Sequence, residues 1–331
     1  MVREMLKDSY NRPITDLRIS VTDRCNFKCF YCKSATLLNY MDHNEILSYE
    51  EVERLARLFL ELGVCKIRVT GGEPLLRREI ETLVARLACL PGLKDLALTT
   101  NGYKLFKQVH LLSQAGLQRV TISLDSLRRE RFEEITRSKD FEKVLKSITA
   151  AKKWKLEPVK VNCVIVRGVN DDEILDFAEF ARHQNITIRF IEFMPIDEDE
   201  KWTRDKVVTG EEILSVLKSQ YQLSELERPE ISSTSRNYRF HDGKGKVGLI
   251  MPVSRPFCGQ CSRIRITADG KIRTCLFSLV EHDIKSPMRQ GADDTSLKEF
   301  ILNTVAKKEA RHHINEPDFV APPRTMSYIG G

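Results

Sequence analysis

Three cysteines close together near the amino end constrain this chain more than any other feature. Cys25, Cys29 and Cys32 have C-x3-C-x2-C spacing, directly after an apolar run that predicts a β-strand. A structural zinc site needs four nitrogen or sulfur ligands, and a ferredoxin-type cubane needs four cysteines. The spacing therefore favours a 4Fe–4S cluster held at three corners, with a fourth iron open to a reactant. The alternatives are a zinc knuckle or a loop of buried thiols, since free cysteine often packs as a small apolar residue.

Short β-branched runs alternate with helix-period segments over the first two thirds of the chain. The runs cover residues 17–21, 66–70, 96–99, 120–124, 159–166 and 188–193. Helices are predicted from a capping box at Ser48 and Glu51, and over residues 79–89, 105–115, 141–154, 171–183 and 210–221. This alternation predicts an α/β fold of parallel βα units. We expect a partial barrel over residues 1–195 and a smaller C-terminal region over residues 196–331 that covers its open end.

Polar or glycine-rich motifs follow most of the predicted strands. They are the cysteine loop, the Gly71-Gly72-Glu73 run, the Asn101-Gly102 turn, Ser123 with Asp125, and Glu192 with Met194. Each motif alone is ordinary turn material. Because active sites of barrels lie at the carboxyl ends of the strands, their joint placement predicts one site at that edge.

A second cysteine triad lies in the C-terminal region. Cys258, Cys261 and Cys275 follow C-x2-C-x13-C spacing. One interpretation of this triad is a zinc site, with His241 or His282 as the fourth ligand. The other is a second iron–sulfur cluster with one open iron.

Cations within apolar strand runs indicate an anion site. Arg263 and Arg265 lie between the second and third thiols, and residues two apart on a strand face one side, so they form a fork suited to phosphate oxygens. Arg18, Arg68 and Lys160 lie inside other strand runs, where an unpartnered cation is costly. Together the five would line a pocket for a triphosphate. The alternatives are a solvated edge pair and cations paired with carboxylates inside the barrel.

Composition limits the classes of partner. The 53 basic and 47 acidic residues give a net charge of +6 that is spread along the chain, which suits an anionic substrate and does not indicate nucleic acid. Six of the nine cysteines fall in the two triads, which favours metal in a reducing cytosol over a disulfide scaffold. Residues 1–13 lack a signal-peptide pattern, and no apolar window is long enough to span a membrane. We therefore expect a cytoplasmic protein.

Taken together, the motifs resemble one enzyme family. The residues that carry the resemblance are segments 16–24, 68–75, 99–102 and 190–194, the two cysteine triads, and the terminal Ser-Tyr-Ile-Gly-Gly. They are similar to the molybdenum cofactor biosynthesis protein A family, the GTP 3',8-cyclases of the radical S-adenosylmethionine (SAM) superfamily. The resemblance covers residues 12–331. In that superfamily the open iron binds SAM, and its reductive cleavage yields a 5'-deoxyadenosyl radical.

The resemblance implies a fold and a set of site residues. The fold is an incomplete (β/α)6 TIM-type barrel closed by a smaller C-terminal region, with two 4Fe–4S clusters at opposite ends of one cavity. The implied cluster ligands are Cys25, Cys29, Cys32, Cys258, Cys261 and Cys275. The implied SAM contacts are Tyr31, Gly72, Ser123 and Met194, and the implied GTP contacts are Arg18, Arg68, Thr99, Lys160, Arg263, Ile264 and Arg265. The implied catalytic residues are Arg263, Arg265, Gly330 and Gly331, although a frayed terminus is the alternative for the two glycines.

The implied reaction is a lyase step that opens molybdenum cofactor biosynthesis. The radical takes the 3'-hydrogen of GTP, and the ribose radical adds to C8 of guanine to give 3',8-cyclo-7,8-dihydro-GTP. The implied partners are a flavodoxin or ferredoxin as electron donor, a cyclic pyranopterin monophosphate synthase that receives the product, and a second copy in a homodimer. The chain departs from the family at Lys33-Ser34, and Cys65, Cys89 and Cys163 match no motif, so we expect these three to be buried thiols.

Two other functions compete with this one. A radical SAM maturase of peptide or RNA would carry more C-terminal cysteines and would lack the Gly-Gly end. An iron–sulfur electron carrier or a zinc scaffold would have no use for an open iron or for a row of internal cations.

Overall fold

The computed structural model describes residues 5–32, 40–196 and 201–330, and the structural statements below concern these residues. Strands and helices alternate in the first part of the chain. The strands are β1 Asp16–Ser20, β2 Lys66–Thr70, β3 Asp95–Thr100, β4 Arg119–Ser123, β5 Lys160–Ile165 and β6 Thr187–Glu192. The helices are α1 Tyr49–Glu61, α2 Ile80–Ala88, α3 Leu105–Gln114, α4 Arg129–Thr136, α5 Phe141–Lys153 and α6 Ile174–Gln184. The six predicted βα units are confirmed, with an additional helix, α4, between β4 and β5.

Helix α1 shows how local sequence sets an element boundary. Ser48 accepts a hydrogen bond from the Glu51 backbone N–H, and the Glu51 carboxylate accepts one from Ser48 N–H. This capping box satisfies two backbone donors that a helix start leaves open. The helix then buries one apolar face, including Leu55 and Phe59, against the sheet. Across the described residues, no helix combines the length and the apolar character needed to cross a membrane.

The C-terminal region adds elements at both edges of the sheet. They are α7 Gly210–Gln220, β7 Leu223–Glu225, β8 Ser235–Phe240, β9 Lys246–Ile250, β10 Arg263–Ile266, β11 Lys271–Arg273, β12 His282–Asp283, α8 Lys285–Arg289, α9 Asp294–Ala306 and α10 Met326–Ile329. The sheet order is β12-β11-β10-β1-β2-β3-β4-β5-β6-β9-β8-β7, and the sheet does not close on itself. Strands β10 and β9 pair parallel with β1 and β6. The predicted α/β fold, an incomplete TIM-type barrel, is confirmed.

The core is shared between the two parts of the chain. One apolar cluster contains Leu17 and Ile188 of the barrel together with Ile264 and Ile301 of the C-terminal region. A smaller cluster forms around Val253 and Phe277. The division at residue 195 stays a prediction, and the C-terminal region flanks the barrel edges through β9 and β10.

The cysteines outside the triads differ in burial. Cys163 is fully buried, as expected, and Cys65 is half-buried. Cys89 is exposed at the end of α2, so its prediction as a buried thiol is wrong. It follows the last turn of an amphipathic helix, where the helical period no longer places it on the core face.

Candidate active site

The first cysteine triad lies where β1 ends, in the wall of a cavity at the carboxyl edge of the sheet. Cys25, Cys29 and Cys32 line this cavity together with four predicted site residues, which are Tyr31, Gly72, Thr99 and Ser123. The strand-end motifs are therefore brought together as the barrel rule requires.

Backbone contacts hold the cysteine loop in place. Lys28 N–H donates to Thr136 O at 3.0 Å, and Phe30 N–H donates to Ile135 O at 3.1 Å. The Asn101 amide nitrogen lies 3.8 Å from Cys25 Sγ and donates to it. A donor aimed at sulfur favours the thiolate that binds metal, whereas burial and the neighbouring Asp125 raise the pKa of Cys29.

The glycine pair after β2 allows the backbone to press against this loop. A side chain at Gly72 would place its Cβ 2.5 Å from Arg24 O and 2.7 Å from Asp23 O. The Gly72 N–H donates to Thr22 O at 2.7 Å, and Glu73 N–H donates to Arg24 O at 2.8 Å. The Gly-Gly motif is thus required by the close approach of two strand ends.

Two buried carboxyl groups brace this end of the cavity. Glu73 accepts hydrogen bonds from Leu75 N–H at 3.0 Å, Thr100 Oγ1 at 2.7 Å and Asn101 N–H at 2.6 Å. Asp125 accepts from the Tyr31 hydroxyl at 2.5 Å and from Val164 N–H at 2.8 Å. Burial raises the pKa of Asp125 to about 6. Sequence analysis noted both residues at strand ends but gave neither a role.

A row of cations crosses the interior of the sheet, with Arg265 buried and the other side chains half-buried. Arg265, Arg18 and Arg68 occupy directly adjacent positions on β10, β1 and β2, and Lys160 lies on β5. Burial, together with the neighbouring Arg18 and Arg119, lowers the pKa of Arg68 to about 9. Burial lowers the pKa of Lys160 to about 6, and the nearby Arg189 and Arg119 contribute to this decrease. Placing like charges close together away from water costs free energy. We therefore expect the row to bind an anion.

Arg189 on β6 belongs to this row and was missed by sequence analysis. Its Nε and the Nε of Arg18 are buried with no hydrogen-bond partner among the described residues. Burial lowers the pKa of Arg189 to about 10. The signal was available, because Arg189 is a cation inside an apolar strand run, as are Arg18 and Arg68. Arg119 differs, since its Nε donates to Asp95 at 2.5 Å.

The second triad lies at the start of β10 beside further cations. Arg263 Nη2 donates to Cys261 Sγ at 3.4 Å, and Lys308, which sequence analysis did not single out, donates to Arg263 O at 3.0 Å. Burial raises the pKa of Cys261, but Arg263 and Lys308 outweigh it and lower that pKa to about 6. These cations therefore stabilise the Cys261 thiolate, while burial raises the pKa values of Cys258 and Cys275.

The C-terminal segment, residues 325–330, contacts both the cation row and the thiol cavity. Arg265 Nη1 donates to the Gly330 carbonyl oxygen, and Met326 and Ser327 line the thiol cavity. Met194 does not line that cavity and packs in the apolar cluster that also contacts Met326. Ile264 is buried on β10 beside Leu17. Gly331 lies outside the described residues.

Both triads suit an iron–sulfur cluster. Among the described residues, His, Cys, Asp and Glu side chains form no group of three at the spacing of a single metal ion. Cluster ligands bind the corners of a larger body, so they stand farther apart. The first triad lies in a cavity with donors to sulfur, and the second has cations next to Cys261. Cysteine thiolates are the ligands that such clusters require.

Comparison with known proteins decides the family. The profile of the Radical SAM superfamily matches residues 19–181, and that of Molybdenum Cofactor Synthesis C matches residues 186–314. The GTP 3',8-cyclase of Moorella thermoacetica is 44% identical over 98% of this chain and 100% of its own length. The chain belongs to the GTP 3',8-cyclase family. The Syntrophomonas wolfei member is 42% identical, over 98% of this chain and 99% of its own, and the mitochondrial member of Arabidopsis thaliana is 41% identical, over 100% and 84%.

Solved structures agree on the fold of this GTP 3',8-cyclase family member. Streptococcus suis SuiB bound to S-adenosylmethionine has a TM-score of 0.60 at 14% identity, over 93% of this chain and 67% of that one. At that identity the likeness shows the fold alone. As a member of the family, the chain is a radical SAM enzyme that uses SAM and iron–sulfur clusters as cofactors.

Proposed function

We propose that the chain converts GTP to 3',8-cyclo-7,8-dihydro-GTP in molybdenum cofactor biosynthesis. The observation that carries the proposal is the row of cations in the same barrel interior as the thiol cavity. Thr99 joins the two, since it lines the cavity and accepts a hydrogen bond from Arg68 Nη1 at 3.1 Å. A triphosphate supplies the several negative charges that this row lacks.

The thiol end of the barrel interior, which is the cavity lined by Cys25, Cys29 and Cys32, would hold the cofactor. When bound, the cluster of Cys25, Cys29 and Cys32 together with SAM supplies the 5'-deoxyadenosyl radical. Tyr31, Gly72 and Ser123 line the cavity beside these thiols, which places them within reach of a bound SAM. Met194, which packs against the wall that includes Met326, would support the same ligand from the neighbouring apolar cluster.

The cation end orients the substrate. Arg18, Arg68, Lys160 and Arg189 would bind the phosphate oxygens, while Arg263 and Arg265 approach from β10 and Ile264 offers its strand backbone. Holding the triphosphate in one place fixes the ribose relative to the thiol end. Catalysis by positioning of this kind lowers the entropic part of the barrier, and the fixed cations add electrostatic stabilisation without reorganisation.

The C-terminal region completes the site. Cys258, Cys261 and Cys275 would hold the second cluster, whose open iron offers a contact for the guanine. Gly330 and Gly331 would act close to Arg265 and the substrate. We assign residues 1–195 to the radical SAM barrel and 196–331 to the second-cluster region.

The partners of the reaction belong to the same proposal. A cytoplasmic flavodoxin or ferredoxin would donate the electron, a cyclic pyranopterin monophosphate synthase would take the product, and a second copy would form a homodimer. The chemistry supports the first two, because the reaction consumes an electron and leaves an unfinished pterin precursor.

The test is an anaerobic assay of protein reconstituted with iron and sulfide. With SAM, a strong reductant and GTP, we expect both 5'-deoxyadenosine and a pterin that fluoresces after acid oxidation. Cys29→Ala should abolish both products, whereas Cys261→Ala should abolish or sharply reduce the pterin alone. Deoxyadenosine without any pterin from the unaltered protein would refute the GTP assignment and favour the maturase alternative.

A further inference from the structure

One arginine anchors the C-terminal segment to the rest of the protein. Arg324 Nη1 and Nη2 each donate to one oxygen of Asp269 at 2.8 Å. Its Nε lies 3.2 Å from Glu281 Oε2. All three side chains are largely sheltered, with 22%, 11% and 15% of their surface exposed. A planar guanidinium that binds one carboxylate at two points and a second from the side has its orientation fixed.

The two carboxylates belong to the second-cysteine region. Asp269 lies in the turn between β10 and β11, and its Oδ1 also accepts from Thr267 Oγ1 at 2.6 Å. Glu281 lies in the loop that follows Cys275 and accepts from Arg273 Nη1 at 2.7 Å. Arg273 is fully buried and also holds that loop through the Ser278 carbonyl oxygen at 2.5 Å. Arg324 is therefore tied to the loop that carries the third thiol.

The residues after Arg324 reach directly into the active site. Thr325 is the N-cap of α10, Ile329 is fully buried, and Gly330 N–H donates to Met326 O at 2.8 Å. Gly330 has a φ of +84°, and a Cβ there would lie 2.7 Å from Thr70 Cγ2. A segment this short has little slack, so the position of its anchor decides where Gly330 meets Arg265.

We infer that Arg324 is a positioning residue that couples assembly of the second-cysteine region to the seating of the C-terminal segment. When the loop after Cys275 is in place, Glu281 and Asp269 together fix Arg324, and Arg324 places Gly330 beside Arg265. The catalytic consequence rests on the proposed function, but the seating itself does not.

The first test measures seating without substrate. Amide hydrogen exchange is followed by mass spectrometry over residues 325–330 in the cluster-loaded protein, with neither GTP nor SAM. We expect Arg324→Gln to speed exchange in this segment at least about tenfold, because its hydrogen bonds then open locally. Arg324→Lys, which keeps the charge but loses the two-point contact, should be intermediate.

The chain offers a matched control in Arg236. It binds both oxygens of Glu225, at 2.9 and 2.7 Å, on the remote β7–β8 hairpin, with a similar exposure of 23%. Arg236→Gln should leave exchange over residues 325–330 unchanged. In the Asp269→Asn background, Arg324→Gln should add little further effect, because the two residues form one unit.

The second test separates positioning from a general structural role. In Arg324→Gln we expect GTP cyclisation to fall at least tenfold while SAM cleavage continues, so that more 5'-deoxyadenosine forms per pterin. Iron content and thermal midpoint should match those of Arg236→Gln.

Two results would overturn the inference. One is exchange over residues 325–330 in Arg324→Gln that equals exchange in the Arg236→Gln control. The other is an equal loss of SAM cleavage and cyclisation, which a merely structural residue would give. If the unaltered protein makes no pterin, the proposed function fails, and hydrogen exchange still decides the anchoring.

Discussion

Two pairs of charged residues in the barrel interior differ in how their polar atoms are satisfied. At the thiol end, the oxygens of Glu73 and Asp125 are satisfied by donors from the chain itself. In the cation row, Arg18 and Arg189 keep a buried Nε with no partner among the described residues. Because buried polar groups are nearly always hydrogen-bonded in folded proteins, we assign Glu73 and Asp125 to the framework of the site and expect a ligand to complete the hydrogen bonding of Arg18 and Arg189. Substitutions in the two pairs should therefore fail in different ways.

Removing Glu73 should have the largest effect on stability. Glu73→Ala leaves two backbone N–H groups and one hydroxyl buried without an acceptor, at about 1–3 kcal/mol each. We expect the free energy of unfolding to fall by about 3 kcal/mol or more, measured by urea unfolding under anaerobic conditions. Glu61→Ala is the control, because that carboxylate forms partly exposed ion pairs with Arg57 and Lys298 and should cost no more than about 1 kcal/mol. Equal losses in the two variants would contradict the framework role of Glu73.

Removing a cation of the row should lower the affinity for GTP without lowering stability. Arg18→Met removes a cation whose pKa is lowered by burial, which outweighs the raising effect of Asp16, so the thermal midpoint should stay level or rise. GTP affinity should fall about thirtyfold, since a charge-assisted hydrogen bond contributes about 1.5–3 kcal/mol. Calorimetric titration of GTP in the absence of SAM measures the affinity. A lower thermal midpoint with unchanged GTP affinity would place Arg18 in the framework instead.

Lys160 should give a smaller effect that depends on pH. Its pKa is lowered to about 6, so it is mostly neutral at pH 7.5 in the free protein. Phosphate oxygens favour the charged form and raise that pKa, so GTP binding takes up a proton. Lys160 makes its full contribution to GTP affinity below pH 6, where it is charged in the free protein. Above pH 6 this contribution weakens by up to about tenfold per pH unit.

Calorimetry in buffers of different ionisation enthalpy counts these protons. We expect Lys160→Gln to take up fewer protons than the unaltered protein at pH 7.5, by up to one. Lys160→Arg, which stays charged at this pH, should show the same reduction but keep more of the affinity. Equal proton uptake in all three proteins would exclude Lys160 from the phosphate site.

Local signals account for what the sequence predicted. Strand periods, the capping box at Ser48 and the spacing of both triads depend on residues close together in the chain. The cations were found because a charge inside an apolar run needs an explanation. Arg189 gives the same signal, because it is a cation inside the apolar run 188–193.

The features that were missed depend on distant contacts. Lys308 and Arg324 lie in ordinary polar segments, and only folding shows that they reach Arg263 and Asp269. Residues 229–256 are rich in turn-forming residues, yet they contain β8 and β9, because pairing with the edge of β6 overrides local preference.

The pairing of β10 with β1 has a consequence for how the protein is made. Asp16 pairs with Arg263, so β1 can complete its pairing only after β10, which is about 250 residues later in the chain, has been synthesised. Until then β1 has an unpaired edge, which invites association with other chains. Contacts of such long sequence separation also form slowly. Co-translational folding of the barrel therefore stops short of its edges, and the cysteine loop is enclosed only after the C-terminal segment has emerged.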